Sequence, residues 1–194
     1  GVAERILVLE KKYGLLDWRV ALKIAEEVAL QKFYKFESKI KAYETGIRVG
    51  LAYITLGVIS APLEGFIELK IKKRIDGGEY FSVFFAGPIR AAGGTAEAVS
   101  LVIADYVRIK MGYKPFDPTE KEIKRTIAEI RDYHDRVTNL QYSPSDEELE
   151  FLLSNLPIEV NGDPTEELEV SNYKDLERVE TNRIRGGICL VIAE

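Results

Sequence analysis

Along the first 60 residues apolar positions recur at helical spacing. Residues 1–13 read as one helix closed by Gly14, and Asp17 is placed to cap a second, in which Trp18, Leu22, Ala25, Val28 or Ala29, and Phe33 recur every three to four positions. A third stretch, about 38–57, carries Ile40, Tyr43, Ile47, Leu51 and Ile54 on one face. Gly46 and Gly50 sit four apart within it, a spacing that predicts close packing against another backbone, with a hinge as the alternative. "SAPLEG" at 60–65 breaks the rhythm and is the candidate boundary between a helical part, 1–60, and a mixed part, 61–194.

The period then changes from helical to two. In "FIELKIKKRIDGGEYFSVFFA" the odd positions Ile67, Leu69, Ile71 and Ile75 are apolar and the even positions Glu68, Lys70, Lys72 and Arg74 are charged, the mark of a strand with one wet face. Phe81, Val83 and Phe85 continue the odd apolar set after Asp76-Gly77-Gly78. A two-residue turn would set Lys72 against Val83. A three-residue loop with Gly78 left-handed sets Ile71 against Val83 and Leu69 against Phe85, and is preferred because a one-residue slip exchanges the faces. The outer face then pairs Lys70 with Phe84, Lys72 with Ser82 and Arg74 with Tyr80. Cations beside exposed rings suit a single-stranded nucleic acid, while the alternative is that Phe84 and Tyr80 pack beneath another element.

Residues 95–111 form a helix apolar on most sides, expected to be central and stopped by Gly112. Asp117-Pro118-Thr119-Glu120 predicts the cap of a further helix with a buried stripe of Ile123, Ile127, Ile130 and Val137. Ser145-Asp146-Glu147-Glu148 is a capping box opening a short helix that stops at Pro157; after it "IEV", "LEV" and "RVE" read as short strands. The fold class expected is α+β: a helical N-terminal part, then a β-hairpin and short strands packed around the apolar helix.

Charge divides the chain. Residues 1–115 hold 18 basic and 13 acidic side chains, a net of +5, whereas residues 116–194 hold 9 and 19, a net of −10. A polyanion would favour the first part and avoid the second, unless the acids are only a solvated surface. Lys and Glu abound while Cys and Met occur once each, a bias seen in proteins from hot habitats. A single Cys189 precludes a disulfide within the chain and argues against a cysteine metal site. No apolar run is long enough to span a membrane, and both ends read as cuts in a longer protein.

Three clusters invite chemistry. Gly87 to Thr95 joins strand to helix, but it has neither the lysine of a P-loop nor the G-x-G-x-x-G of a dinucleotide fold. It is therefore read as an architectural corner whose free N–H groups, with Arg90, are able to meet one phosphate. "EIRDYHDR" at 129–136 surrounds the only histidine with carboxylates, yet positions three and four away from His134 hold no ligand; Asp132 with Arg136, and Arg131 with Asp135, are at ion-pair spacing instead. Arg178, Arg183 and Arg185 in "RVETNRIRGG" suit either a phosphate or the acidic stretch.

Taken together, "AGPIRAAGGTAEAVS", "EIRDYHDRVTNLQY" and "LPIEVNGDPTEELEVSNYKDLERVETNRIRGG" resemble the N-terminal region of the large subunit of the archaeal D-family DNA polymerase, also called archaeal DNA polymerase II. The likeness covers nearly the whole chain. It implies a heterodimer of a much longer polymerising subunit with a small, phosphoesterase-like subunit that supplies 3'–5' exonuclease proofreading. It implies magnesium on paired aspartates far downstream, so no catalytic residue, metal ligand or cofactor is carried onto these residues. The expected role is DNA binding and subunit assembly, with DNA, the small subunit and a second large subunit as partners, no membrane, and a cytoplasmic, nucleoid-associated setting. Lys70, Lys72, Arg74 and Arg90 are the expected DNA contacts, followed by Arg183 and Arg185. The alternative is an interaction module that joins subunits without touching DNA.

Overall fold

The computed structural model describes residues 1–55, 61–87 and 93–193. Helix α1 (Val2–Tyr13) ends at Gly14, whose φ of 109° lets the chain turn out of the helix. Asp17 caps α2 (Trp18–Ala29) by accepting from the Arg19 N–H, and Ser38 caps α3 (Lys39–Ile54) by accepting from that of Lys41. The α2 stripe of Val20, Ala21, Ile24, Ala25 and Val28 is buried. It meets α3 at Gly46 and Gly50: a Cβ on Gly46 would lie 2.5 Å from the Ala25 carbonyl oxygen, and one on Gly50 2.9 Å from that of Ala21. The glycine pair is thus a seam of backbone-to-backbone packing, as its spacing predicts. The segment read as a break at 60–65 contains a short helix, α4 (Ala61–Gly65).

Strands β1 (Phe66–Lys73) and β2 (Glu79–Phe85) form the expected antiparallel hairpin, but its register slides two residues from the expected one. Leu69 faces Val83 and Ile71 faces Phe81. The loop has three residues as expected, Ile75 to Gly77, closed by the Arg74 N–H donating to the Gly78 carbonyl at 2.9 Å. The left-handed residue is Gly77, with φ 82°, and not Gly78. Asp76 is the physical reason: its carboxylate accepts from the Gly78 N–H at 2.9 Å and sets the turn one position earlier. A slide of two preserves parity, so every side chain keeps its face.

What changes that face is a third strand. β3 (Glu159–Gly162) pairs parallel to β2, giving the order β1-β2-β3. β2 is therefore central, and Tyr80, Ser82 and Phe84 are buried, so of the two readings of this face the one in which the rings pack beneath another element holds. Tyr80 packs on Phe116 with ring centroids 4.8 Å apart, and the Lys70 ammonium lies 3.9 Å from the centre of the Phe84 ring. The exposed aromatic face of the hairpin is not formed.

Helix α5 (Gly93–Lys110) crosses the core, burying Ile103, Ala104 and Val107, and ends ahead of Gly112 at φ 79°. Helix α6 (Glu120–Arg136) is capped by Thr119 in a reciprocal box with Glu122, two residues beyond the expected cap. Asp117 is engaged elsewhere, accepting from the Ile75 N–H and from Arg178. Helix α7 (Asp146–Asn155) opens on the expected Ser145–Glu148 box, and the final apolar run is a helix, α8 (Gly186–Ala193). One continuous cluster of buried side chains joins α2, α3, α5, α6, α7, α8 and the sheet. Among the described residues no helix is long and apolar enough to cross a membrane.

Candidate functional site

Of the six expected DNA contacts, the five that lie among the described residues occupy very different places. Lys70 is half-exposed and paired with Glu68 at 3.0 Å. Lys72 is only 17% exposed; its ammonium donates to Glu180 at 2.8 Å, to Glu159 at 3.1 Å and to the Arg178 carbonyl at 3.0 Å. Arg74 binds Asp76 at 3.0 Å and the Pro115 carbonyl. Arg183 donates to the Glu166 carbonyl and the Glu167 carboxylate, both at 2.7 Å, so it serves the acidic stretch. Arg185 is buried. Arg90 and most of the Gly87–Thr95 corner lie outside the described residues. Lys72, Arg74 and Arg185 do not form an open cationic stripe, because carboxylates and carbonyls of this same chain already fill their donor sites.

Arg185 belongs to a buried ionic knot on α6. Glu129 accepts from the Arg185 guanidinium at 2.8 and 3.1 Å, from the Arg185 backbone N–H at 2.7 Å and from Arg125 at 2.7 Å. Arg185 also reaches the Asn161 side-chain oxygen on β3 at 2.9 Å. Nearby, Arg178 clamps Asp117 at 2.8 Å and Glu122 at 2.6 Å. Burial opposes charge on Arg178, but the bonds to Glu122 and Asp117 outweigh it and hold the guanidinium above its usual range. At Glu159 burial prevails and pushes the carboxyl up, with Lys72 pulling the other way. Burial is the largest single influence at Glu180 too, but there the hydrogen bond and charge of Lys72, with further hydrogen bonds, together outweigh it, and the carboxyl is lowered. Lys72 is thus held by acids of the second part, whereas Arg178, Arg183 and Arg185 pair with acids of the second part to which they themselves belong.

The other chemical candidates have structural employment. The Cys189 thiol is buried, which raises it well above its ordinary range and leaves it without thiolate character. His134 accepts the Leu140 N–H on Nδ1 at 3.0 Å. Asp132 pairs with Arg136 at 3.5 Å as expected, whereas Arg131 turns to Asp146 at 2.6 Å in place of Asp135. Among the described residues no group of three or more His, Cys, Asp or Glu is placed to hold a metal ion.

Among the open surfaces of the described residues, two bear on function. One is a groove of about 440 Å³ between α5, α7, β3 and α8, walled by Ala98, Leu101, Val102, Leu152, Val160, Val191 and Ile192, with Asp105 its one charged lining residue. Val102 is 54% and Ile109 57% exposed on the same helix. The sequence signal for this groove is the all-round apolar pattern of α5, which one core of this size cannot consume. The other surface lies where the start of α3 meets the end of α5. Lys39, Tyr43, Met111, Tyr113 and Lys114 line a shallow depression there. Lys35 and Lys39 are exposed, Tyr34 is 68% exposed, and Lys110 lies over the Tyr106 ring. The signal that marks it is "KFYKFESK" at 32–39, where cations and rings alternate.

An apolar groove open to solvent is the kind of surface at which other chain segments or partners dock. The family model described as "DNA polymerase II large subunit DP2, N-terminal" matches residues 1–194. The DNA polymerase II large subunit of Nanoarchaeum equitans is 58% identical over 192 residues, covering 99% of this chain and 15% of that protein. The subunits of Pyrococcus horikoshii and Methanococcoides burtonii are 48% and 47% identical over the whole chain, which covers 14% and 17% of their lengths. The chain belongs to the family of the N-terminal region of the DNA polymerase II large subunit. It spans about one-sixth or less of the length of these relatives.

Proposed function

We propose that this region is an assembly element of a DNA polymerase large subunit, with nucleotidyl transfer, its magnesium and the associated exonuclease residing elsewhere in the enzyme. The observation that carries this reading is the apolar stripe of α5 exposed at Val102 and Ile109, continued across the groove by the partly exposed Leu152 of α7. Burying such surface contributes about 25 cal/mol per Å², a gain the isolated chain forgoes and an assembled enzyme recovers. The inward pairing of Lys72, Arg74 and Arg185 supports assembly over DNA holding at the hairpin. The test is the reactivity of a Val102→Cys thiol in the assembled polymerase, expected to be far slower than that of a Tyr34→Cys thiol.

A second reading rests on the end of the bundle, where Lys35, Lys39 and Lys110 make no ion pair among the described residues and the Tyr34 ring, 68% exposed, meets the Phe36 ring edge-on at 5.2 Å. That set suits a single strand, its cations meeting phosphates and its ring a base. In this reading Lys35→Ala, Lys39→Ala and Lys110→Ala together reduce the salt dependence of DNA binding by about 0.7 to 0.9 log units per lost phosphate contact. Lys70→Ala, Lys72→Ala and Arg74→Ala together leave that slope unchanged. A slope flattened by the hairpin variant instead would return the DNA contact to the hairpin.

A further inference from the structure

We infer that the groove between α5, α7 and α8 is filled by an amphipathic segment of the same large subunit, drawn from the sequence beyond these residues, with an apolar ridge inward and basic side chains at its rim. The inference rests on the assembly reading and goes further by naming the occupant. Four observations select it.

The chain covers only 14–17% of relatives such as those of Pyrococcus horikoshii and Methanococcoides burtonii, and the matched family is an N-terminal one, so the bulk of such a subunit follows this region. Val191 and Ile192, in the last turn of α8, are part of the groove wall. A segment that follows α8 therefore starts beside its own site, and a short tether supplies an effective concentration in the millimolar range.

Charge opposes a second copy of the chain. Asp105 is paired with Arg108 at 2.7 Å and Asp146 with Arg131 at 2.6 Å, which leaves Glu147 and Glu150 of α7 exposed with no ion pair among the described residues, and a two-fold contact through this surface doubles that negative flank. Like charges brought together in this way oppose the contact, whereas a basic rim on the occupant complements it.

Chemistry excludes a small polar ligand. Such sites need several converging polar groups to fix orientation, and Asp105 is the one charged group lining the groove among the described residues. A shallow, elongated apolar surface along a helix is instead the seat of an amphipathic helix anchored at every third or fourth position.

The experiment uses the full-length large subunit, alone and with its small subunit, carrying Val102→Cys modified with a short thiol-linked photocrosslinker. Leu152→Cys on the opposite wall is the second variant, in case the first folds poorly. Isotopically light and heavy subunits are mixed before illumination, and linked peptides are identified by mass spectrometry. The expected result is a link within one chain, from position 102 or 152 to an apolar segment downstream with lysine or arginine neighbours, formed whether or not the small subunit is present. Links to the small subunit, or light-to-heavy links between large subunits, overturn this inference while leaving the assembly reading in place. Free solvent reactivity with no protein link overturns both.

Discussion

Glu129→Ala is expected to destabilise the chain by about 3–5 kcal/mol, the cost of leaving buried charge without its partner. Glu129 and Arg125 are completely buried, and Arg185 nearly so, with one carboxylate accepting from both guanidinium groups and from the Arg185 backbone N–H. Alanine removes the negative charge and strands two positive ones in a core where water has little access. Partial relief comes from the Thr181 carbonyl, which accepts from Arg125, and from Asn161, which accepts from Arg185. Neither supplies a compensating charge. At this chain length each kcal/mol lowers the thermal midpoint by about 2–4 °C, so the loss is easily read in thermal or guanidinium unfolding. Lys73→Ala is the control: its pair with Glu79 is exposed, and such pairs contribute about 1 kcal/mol or less. A Glu129→Ala midpoint no lower than that of the control would show that the knot does not hold α6 to β3.

Gly46→Ala is expected to destabilise by about 1–3 kcal/mol, although alanine is the better helix former by up to about 1 kcal/mol. The sign follows from what the new methyl meets. It would sit 2.5 Å from the Ala25 carbonyl oxygen and 3.2 Å from the Ala29 Cβ. The first of these is backbone, which no rotamer change removes, so α2 and α3 must separate along their seam. That seam also holds Gly50 against Ala21 and Ile103, and the disturbance therefore reaches α5. Equilibrium unfolding measures the loss; a gain in stability would mean that the seam yields freely.

The helices, their caps and the glycine seam were legible because they are encoded locally. Capping at Asp17 and Ser145, the stop at Gly112 and the four-residue glycine spacing each need only neighbours within a turn or two. The hairpin was legible in its loop length and in the parity of its faces, but not in its exact register, which a single Asp76 side chain moves. What lay beyond reach is long-range. Nothing near Tyr80 or Phe84 announces that residues 159–162 will pair beside them and close the outer face. The partners of the basic residues are equally remote: Lys72 meets Glu180, and Arg185 meets Glu129. A sequence read for charge shows two poles, but among the described residues most ion pairs form within each part, and Lys72 is where the poles meet. The final apolar run carries no period that separates a buried strand from a buried helix, and it proved to be α8.

The chemistry of the groove follows from a simple mismatch between pattern and burial. An α5 apolar on most sides was expected to be enclosed, and the helix buries Ile103, Ala104 and Val107 while leaving Val102 and Ile109 in solvent. In a longer polymerase subunit that mismatch disappears once another segment lies along the helix.

The most direct measurement compares the thiol alkylation rates of Val102→Cys and Tyr34→Cys in the assembled polymerase, the two native side chains being similarly exposed in this chain, at 54% and 68%. If α5 is covered, even a modest closing free energy of about 1.4 kcal/mol slows reaction at position 102 about tenfold relative to position 34. Equal rates at the two positions would mean that the stripe stays bare in the working enzyme, and would contradict its role in assembly.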